Sequence, residues 1–453
     1  MKNYDVIIIG AGPAGIITGV TAKKAHPEKS MLIFKEEEKG LVPCGIPYVF
    51  HELDGVDKNI MGPKPFVNLG GDVQTDSVID VNLKKKSITT KSGKEYGFEK
   101  LVFATGSKVT IPTFIPGYDL NNVFYIRKSY NYIKQLFEEL KTKRNIVVIG
   151  GGFIGAEVAE QLAMHTDKNV TLIESEEYCF SKAFSKELSQ IATKALSETN
   201  VNVQTSVRVE KVNGDNGNAT SILLSTGETV KCDAVIMAIG YKPNTDLAKN
   251  AGLELNKMGA IKVDSYERTT EQGVCAVGDC SQTIGFLTGR SNHVMLASTA
   301  TAEARVLGHN LFGVKIKKTF SGTIAVFSTE INGIAMAAAG VNDSTAKESN
   351  IQVISAEFND FDTHPAGFKH TSALSLKLYA SPCGSILGGE VWGGKSAGEI
   401  INTISLAIQK NVTVFELISF QVGTHPLLTS APTKSILIRT AEIIIDKISK
   451  NIK

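Results

Sequence analysis

The sequence has no long apolar run, and no stretch approaches the 18 residues that a membrane-spanning helix needs. Its 48 basic and 46 acidic residues nearly cancel, to a formal net charge of +2, so its charge indicates neither nucleic acid nor an anionic membrane as a partner. The N-terminus lacks a signal-peptide pattern, because the apolar residues 6–9 run directly into a glycine-rich turn. We therefore expect a cytoplasmic protein.

Paired cysteines are also lacking. The six cysteines stand at positions 44, 179, 232, 275, 280 and 383, and their spacing fits neither a metal site nor the disulfide framework of a secreted protein. We expect no metal site, and we expect most of these thiols to be buried and inert in a reducing compartment. Cys44 is the one cysteine that we expect to be redox-active.

The chain does contain two copies of one pattern. Its 453 residues exceed the roughly 250–300 at which one core stops growing, so two or three domains are expected. An apolar strand, a glycine-rich turn and a helix occur at 5–15 (DVIIIGAGPAG) and at 145–157 (NIVVIGGGFIGAE). Each copy continues into a second apolar strand, at 30–34 and 169–174. This β-α-β pattern predicts a duplicated nucleotide-binding unit.

After about residue 317 the pattern changes. Apolar strands (TIAVFS, ALSLKLYA and SILGGEVWGG) precede an amphipathic helix at 396–411 and a last helix at roughly 433–449. This order predicts a third domain of the α+β class. The prolines and glycine of IPTFIPG, at 111–117, indicate the crossover into the second nucleotide-binding unit.

The first glycine fingerprint consists of Gly10, Gly12 and Gly15. These glycines serve a tight turn, close approach of the backbone to a pyrophosphate, and close helix–strand packing, while amides at the helix N-terminus hold the phosphates. At the end of the second strand Lys35 stands where an acid is usual. Two explanations remain open: Glu36 reaches the ribose after a one-residue shift, or Lys35 packs over the adenine or pairs with a phosphate.

The second fingerprint consists of Gly150, Gly152 and Gly155, and its second strand ends in Glu174. A carboxylate there accepts hydrogen bonds from both ribose hydroxyls and repels a 2′-phosphate. No arginine or lysine follows within 175–177 to bind that phosphate. The sequence therefore favours NADH over NADPH.

With these motifs the chain resembles the flavoprotein disulfide reductases that have two dinucleotide-binding domains, over essentially its whole length. LVFATGS at 101–107 is similar to the segment of that family that crosses beneath FAD. CAVGDC at 275–280 is similar to its second FAD motif, whose aspartate binds the ribityl chain. LASTATAEAR at 296–305 is similar to the helix whose N-terminus faces the flavin and stabilises its reduced form.

The resemblance implies an α/β fold with two Rossmann-like domains and a C-terminal α+β dimerisation domain, in a homodimer. The implied domains are an FAD-binding domain at 1–113 and 242–317, an NAD-binding domain at 114–241 and a dimerisation domain at 318–453. The implied FAD contacts are Gly10, Gly12, Pro13, Ala14, Gly15, Lys35, Val78, Ala104, Thr105, Gly106, Gly278, Asp279 and Ala297. The implied NAD contacts are Gly150, Gly152, Phe153, Ile154, Gly155, Glu174 and Gly240.

The segment VPCGIPYVF, at 42–50, carries Cys44 alone, whereas glutathione reductase and lipoamide dehydrogenase have two cysteines separated by four residues. The chain is therefore similar to the single-cysteine subgroup: coenzyme A-disulfide reductase, coenzyme A-persulfide or polysulfide reductase, NADH oxidase and NADH peroxidase. Gly45 and Pro47 predict a helix directly after Cys44, whose dipole would lower the pKa of the thiol. A thiolate is the form that sulfur exchange requires.

A proton donor is also needed. GTHPLLTSAP, at 423–432, resembles the C-terminal His-Pro segment of the family, which implies that His425 acts as acid/base in the active site of the partner subunit. The carboxylate that the family has five residues later is Ser430 here, so the alternative is that His425 caps structure at the dimer interface. His364, in DTHPAG, is a weaker copy of this signal and is interpreted as a loop residue.

Three hypotheses for the function follow. The first is NADH-dependent reduction of a small disulfide, persulfide or polysulfide, above all of coenzyme A, in which Lys23 and Lys24 either contact its phosphates or form a solvated helix face. The second is an NADH oxidase or peroxidase in which Cys44 cycles through sulfenic acid. The third is electron transfer to a protein such as rubredoxin, in which Cys44 has no role.

Overall fold

The structure, a computed structural model, describes residues 1–451. Its N-terminal region is built from short apolar strands and one long helix, as runs of four or five buried apolar residues favour. The 3₁₀ helices are Pro43–Gly45, Pro47–Phe50 and Val56–Asn59. The strands and α-helices are β1 (Lys2–Ile9), α1 (Pro13–Ala25), β2 (Met31–Lys35), β3 (Gly40–Leu41), β4 (Ile60–Met61), α2 (Lys64–Val67), β5 (Asp72–Thr75), β6 (Val78–Asn82), β7 (Ser87–Thr90), β8 (Glu95–Phe103) and β9 (Ser107–Val109).

The second region repeats the alternation of strand and helix, and the chain then returns to the first. The second region comprises β10 (Val123–Tyr125), α3 (Tyr130–Lys141), β11 (Asn145–Ile149), α4 (Phe153–Ala163), β12 (Asn169–Ile173), α5 (Lys186–Ser197), β13 (Val201–Gln204), β14 (Val209–Asp215), β15 (Asn218–Leu224), β16 (Thr229–Lys231) and β17 (Ala234–Met237). The returning segment comprises β18 (Tyr241–Pro243), α6 (Asp246–Asn250), β19 (Val274–Ala276), β20 (Thr283–Ile284), β21 (Ser291–Asn292) and α7 (Ala297–Asn310).

The C-terminal region is an antiparallel sheet covered by helices. Its elements are β22 (Phe327–Ile331), β23 (Ile334–Gly340), α8 (Asp343–Ser349), β24 (Ile354–Phe361), β25 (Ala373–Ala380), β26 (Ile386–Gly393), α9 (Ala397–Gln409), α10 (Val414–Leu417), the 3₁₀ helix Pro432–Lys434 and α11 (Ile436–Asn451). The last two residues of the predicted dimerisation domain, 452–453, lie outside the described residues. No helix within residues 1–451 is long and apolar enough to cross a lipid bilayer.

Two sheets with parallel cores carry the glycine turns. In the first sheet β1 lies between β2 and β8, parallel to both, and β19 lies parallel to the other side of β8. In the second sheet β10, β17, β11, β12 and β13 are all parallel. Each turn follows the carboxyl end of a central strand, β1 or β11, which is where open α/β sheets bind their ligands.

The third sheet has the order β22-β23-β26-β25-β24 and is antiparallel throughout. The predicted run TIAVFS becomes a strand only from Phe327. Ala325 has φ +58°, which breaks an extended conformation, and Thr323 instead exchanges backbone hydrogen bonds with Ile284 and Phe286. The predicted strand at 323–328 therefore begins late.

Helix α4 is bonded to the C-terminal region by two buried carboxylates. Thr329 donates its hydroxyl to Glu157, at 2.8 Å, and the backbone N–H of Asn332 donates to Glu160, at 2.6 Å. Both acids are less than one-tenth exposed.

A second buried contact joins the start of α5 to the same sheet. Glu390 accepts the backbone N–H of Ser185, at 2.6 Å, and the hydroxyl of Tyr379, at 3.0 Å. Ser185 is also the N-cap of α5, since its side chain accepts from Leu188. Burial raises the pKa of the Glu390 carboxyl. The second and third regions are thus joined by hydrogen bonds to three buried carboxylates, those of Glu157, Glu160 and Glu390.

Candidate functional site

The first glycine turn has the geometry of a pyrophosphate cradle. Gly10 has φ +114°, and a Cβ there would lie 2.2 Å from the carbonyl oxygen of Ala104. A Cβ on Gly15 would lie 2.0 Å from the carbonyl oxygen of Gly10, whereas one on Gly12 would meet nothing within 4 Å. Helix α1 begins at Pro13 without a side-chain cap, so its first amides are free for an anion. The turn therefore fits the pyrophosphate of a dinucleotide.

The second turn has the same geometry. Gly150 has φ +109°, and a Cβ there would lie 2.6 Å from the carbonyl oxygen of Ala238. A Cβ on Gly155 would lie 1.9 Å from the carbonyl oxygen of Gly150, and one on Gly152 would meet nothing within 4 Å. Helix α4 begins at Phe153, again without a side-chain cap. This turn also fits a dinucleotide.

The ends of β2 and β12 differ in what their polar side chains bond to. Glu174 accepts the backbone N–H of Gly151, at 2.5 Å, so the predicted ribose acceptor already lies against its glycine turn. Lys35 instead turns back and donates to the carbonyl of Glu38, at 2.5 Å. Glu36 is exposed at the same strand end. The structure leaves both explanations for Lys35 open.

The second FAD motif lies beside the first. Asp279 accepts the hydroxyl of Ser107, at 2.7 Å, and the amine of Lys128, at 2.8 Å. A Cβ on Gly278 would lie 2.8 Å from the Cβ of Ala14, so the motif packs directly on α1. The structure thus brings together segments that lie far apart in the sequence, as an FAD site requires.

The other predicted cofactor contacts lie at the ends of strands and helices or in the turns that follow them. Thr105 donates its hydroxyl to the carbonyl of Asn244, and the backbone N–H of Asn244 donates to Gly106. Ala297 is the first residue of α7, and Val78 is the first residue of β6. Gly240 has φ +105° and follows β17. On α4, Ile154 is half-buried in the core, and the Phe153 ring stacks on Phe327 with centroids 5.5 Å apart.

Cys44 is exposed, but its local structure differs from the prediction. It is the middle residue of the 3₁₀ helix Pro43–Gly45, and a second 3₁₀ helix follows at Pro47–Phe50, so no α-helix begins after it. Desolvation by the surrounding protein raises the pKa of the Cys44 thiol, and the Glu157 carboxylate adds to this effect. The predicted lowering of its pKa by a helix dipole is therefore wrong for the chain alone. Lys128 is the cation that acts in the opposite direction.

Glu157 is a site residue that the sequence interpretation missed. It lies on α4, which packs against the 3₁₀ helix Pro47–Phe50 directly after the cysteine turn. Burial raises the pKa of Glu157 to about 7, against the effect of the hydrogen bond from Thr329. A comparison of the two copies would have found it, because the matching residue of α1 is Ile17.

Glu303 was also missed, although it lies in the quoted α7 motif. It is 1% exposed, and it accepts the backbone N–H of Gly278, at 2.9 Å, and the hydroxyl of Thr283, at 2.8 Å. Burial raises the pKa of Glu303 to about 7. Its role is to hold the backbone next to Asp279, and its signal in the sequence is an acid within a buried helix face.

His425 is exposed in the loop between α10 and α11. Its ring Nδ1 accepts the backbone N–H of Leu427, at 3.3 Å, and its backbone bonds to Thr429 in the same loop. In the single chain its hydrogen bonds all lie within this loop. His364 contacts the same loop, through Pro426 and Thr429, so it is more than an isolated loop residue.

The remaining cysteines follow the prediction with one exception. Four are buried, at positions 179, 232, 275 and 280. Cys383 is exposed between β25 and β26, and a hydrogen bond with Ser381 lowers the pKa of its thiol. Lys23 is buried and donates to the carbonyls of Pro27 and Lys29, at 2.8 and 2.6 Å, so it does not belong to a solvated face or to a phosphate site.

Comparisons with known proteins agree with this geometry. Residues 4–304 match the family model for pyridine nucleotide-disulphide oxidoreductases, and residues 323–436 match the dimerisation domain of the same family. An NAD(P)H coenzyme A polysulfide/persulfide reductase from Pyrococcus horikoshii is 31% identical over 86% of this chain and 87% of that protein. An NADH oxidase from Enterococcus faecalis is 27% identical over 91% of this chain and 93% of that protein.

The solved structure of an NAD-dependent persulfide reductase from A. fulgidus is also similar. It superposes with a TM-score of 0.88 at 26% identity, and the match covers 99% of this chain and 84% of that one.

Proposed function

Because the chain belongs to the pyridine nucleotide-disulphide oxidoreductases, a family of NAD(P)H-dependent flavoenzymes, we propose that it passes electrons from NADH through FAD and Cys44 to a small sulfur substrate. The substrate class is a disulfide, persulfide or polysulfide of coenzyme A. The matched dimerisation domain supports a homodimer. A free, exposed thiol is typical of a reducing compartment, which supports the cytoplasm as its location.

The observation that carries this proposal is the isolation of Cys44. It is an exposed thiol beside the two nucleotide-binding units, and it forms no disulfide. The next cysteine along the chain, Cys179, is buried, and burial raises the pKa of its thiol to about 12. Cys44 therefore needs its second sulfur from a substrate.

The glycine turns and Asp279 supply the cofactor contacts of this proposal. The turns at Gly12 and Gly152 would hold the pyrophosphates of FAD and NADH, Asp279 would hold the ribityl chain, and Glu174 would hold the ribose of NADH. When bound, FAD accepts a hydride from NADH and supplies two electrons to sulfur. Lys128 stabilises the thiolate form of Cys44 against the nearby carboxylates.

A disulfide RSSR′ is reduced in two stages. The Cys44 thiolate attacks one sulfur, a Cys44–SR bond forms, and R′S⁻ leaves and takes a proton from the doubly protonated, imidazolium form of His425 of the partner subunit. Two electrons from NADH then break the Cys44–SR bond, RSH is released with a second proton, and the Cys44 thiolate is restored. The sum is RSSR′ + NADH + H⁺ giving RSH + R′SH + NAD⁺.

Anaerobic assays of the purified holoenzyme with NADH test the substrate class. We expect coenzyme A disulfide, coenzyme A persulfide or polysulfide to be reduced, and Cys44→Ser to abolish the reaction. The mass of the oxidised protein should show coenzyme A bonded to Cys44. Failure of all three acceptors, or full activity of Cys44→Ser, would reject the proposal.

A mixed dimer tests the position of His425. Cys44→Ser chains, expected to be inactive, and His425→Gln chains, expected to be about 10²-fold slower, are co-expressed with different tags, and the mixed dimer is purified. If His425 acts on the partner's Cys44, one site of that dimer is intact and about half of the wild-type activity returns. If it acts within its own chain, both sites are defective and no activity returns.

The second candidate function is an NADH oxidase or peroxidase, which the name of the Enterococcus relative supports. In that reaction Cys44 would alternate between thiolate and sulfenic acid. Rapid oxygen or peroxide consumption with NADH, lost in Cys44→Ser, and trapping of the sulfenic acid by dimedone would select it over sulfur reduction.

A further inference from the structure

Two Thr-His-Pro segments of the C-terminal region are hydrogen-bonded to each other. One, at 363–365, follows β24, and the other, at 424–426, lies in the loop before α11. The backbone N–H of His364 donates to the carbonyl of Pro426, at 2.9 Å. The ring Nδ1 of His364 lies 2.7 Å from the carbonyl of Thr429. Because a carbonyl oxygen can only accept, Nδ1 carries a proton and donates it.

The segment that carries His364 is itself anchored. Asp362 accepts the backbone N–H of Ser372, at 2.8 Å, which closes the base of the loop between β24 and β25. Just before it, the carbonyl of Phe361 accepts the hydroxyl of Ser430, at 2.8 Å. The loop of His425 is therefore held at residues 426, 429 and 430 by one short segment attached to the sheet.

The same loop fixes the ring of His425. Its Nδ1 accepts the N–H of Leu427, so the neutral ring carries its proton on Nε2, and the acid form is the imidazolium that a second proton on Nδ1 creates with loss of that hydrogen bond. No carboxylate bonds to this ring within residues 1–451. Leu427 and Leu428, beside it, are 58% and 70% exposed. The loop thus presents an Nε2–H donor on an apolar outer surface.

We propose that His364 is a positioning residue for His425, holding the loop backbone so that the Nε2–H of His425 is directed toward the Cys44 site of the partner subunit. This inference rests on the acid/base role of His425 proposed above. Position 430 is a serine, so no carboxylate there orients the imidazole of His425. Hydrogen bonds from His364 fix the loop that carries this imidazole instead.

The test compares four variants of the holoenzyme. His364→Ala removes the ring donor. His364→Asn restores a donor, because the Asn amide nitrogen is bonded to Cγ as Nδ1 is, whereas His364→Gln places its amide one bond further out. His370→Ala, an exposed histidine of the same loop, is the matched control. NADH turnover is followed with coenzyme A disulfide, and with hydrogen peroxide should the disulfide not react, in both wild-type and His425→Gln backgrounds.

We expect His425→Gln to lose about 10²-fold in kcat, as for a general acid. His364→Ala should lose about tenfold in kcat at unchanged KM for NADH and unchanged FAD content, because displacement of an acid by a fraction of an ångström slows proton transfer. It should lose less than about twofold when His425 is already Gln, because residues that act as a unit are not additive. His364→Asn should lie within about twofold of wild type, His364→Gln near His364→Ala, and His370→Ala should not differ from wild type.

Equal losses from His364→Ala in both backgrounds would overturn the inference, because His364 would then act independently of His425. Full activity of His364→Ala, or equal rescue by Asn and Gln, would also overturn it. Wild-type activity of His425→Gln would instead reject the proposed acid/base role, and this inference with it. The two failures are therefore distinguishable.

Discussion

The two glycine-turn helices share one backbone and differ in what their side chains face. Their N-caps, Gly12 and Gly152, have φ/ψ of −76°/−175° and −75°/−176°. At the positions where α4 carries Glu157 and Glu160, however, α1 carries Ile17 and Val20. The shared backbone accounts for the fit of both turns to a pyrophosphate. The difference between two acids on α4 and two apolar residues on α1 reflects what each helix packs against.

Those neighbours belong to different parts of the chain. Helix α1 packs against α7 within its own region. Helix α4 packs against the 3₁₀ helix Pro47–Phe50 and against β22, from two other regions, and its acids find hydrogen-bond donors there. The second copy thus joins three regions near Cys44, whereas the first packs within its own region.

Exchange of the third glycine in each turn should give the largest effect. Gly15→Ala should abolish FAD binding, and Gly155→Ala should keep FAD but slow its reduction by NADH at least about 10²-fold, because each Cβ would lie within 2.0 Å of a carbonyl oxygen. Flavin absorbance and stopped-flow reduction measure the two effects. Gly12→Ala and Gly152→Ala are controls for folding only, since a Cβ there meets no protein atom within 4 Å but would approach the pyrophosphate of the bound cofactor. The opposite pattern would show that the cofactor assignment is exchanged.

Loss of the carboxylate of Glu174, directly after β12, should give an intermediate effect. Glu174→Gln should raise KM for NADH about tenfold, which corresponds to about 1.4 kcal/mol, because a charged acceptor for the ribose is lost. FAD content should stay at the wild-type level. The discrimination against NADPH should fall in the same steady-state assays. An unchanged KM would mean that the carboxylate serves only the Gly151 amide.

The buried acid of α4 should affect stability with a defined pH dependence. The pKa of Glu157 is raised from 4.5 to about 7, so its contribution to stability is fully present below pH 4.5 and is lost as the pH rises through 7. Glu157→Gln, which keeps an acceptor for Thr329, should increase the free energy of unfolding by about 1–3 kcal/mol at pH 8. It should have no effect near pH 4. Urea titrations at both pH values measure this, and a gain at pH 4 would contradict the prediction.

The smallest effect is expected from a change of Lys35, the last residue of β2. Lys35→Glu places a carboxylate where the second copy has Glu174, and the affinity for FAD should change by less than about threefold, because Lys35 already bonds within its own loop. Titration of the flavin-free protein with FAD measures it. A loss above about tenfold would show that Lys35 contacts the cofactor.

The family, the α/β fold and the use of FAD and NADH, as predicted from the sequence, are confirmed. This succeeds because a glycine turn is a local demand: Gly10 and Gly150 need φ above +100° and a close carbonyl, which other residues do not tolerate. The individual cofactor and catalytic residues stay predictions.

The surroundings of Cys44 could not be predicted in the same way. Pro43 and Pro47 remove backbone donors, so this segment forms i→i+3 hydrogen bonds such as Ile46 to Pro43 instead of an α-helix. The charges that act on the thiol belong to Lys128 and Glu157, which lie more than 80 residues away in the sequence. The contact between His364 and Thr429 of the His425 loop spans 65 residues and leaves no local pattern.

The buried bonds at α4 and α5 have a consequence for protein engineering. Glu157, Glu160 and Ser185 of the second region all bond to residues of the C-terminal region. A chimera that exchanges only the nucleotide-binding unit, for instance to change cofactor preference, would leave the buried hydroxyl of Thr329 without its acceptor unless the new unit carries an acid at position 157, and an unpaired buried hydroxyl is destabilising. Matching these buried contacts is therefore a condition that a transplanted unit has to meet in addition to binding its nucleotide.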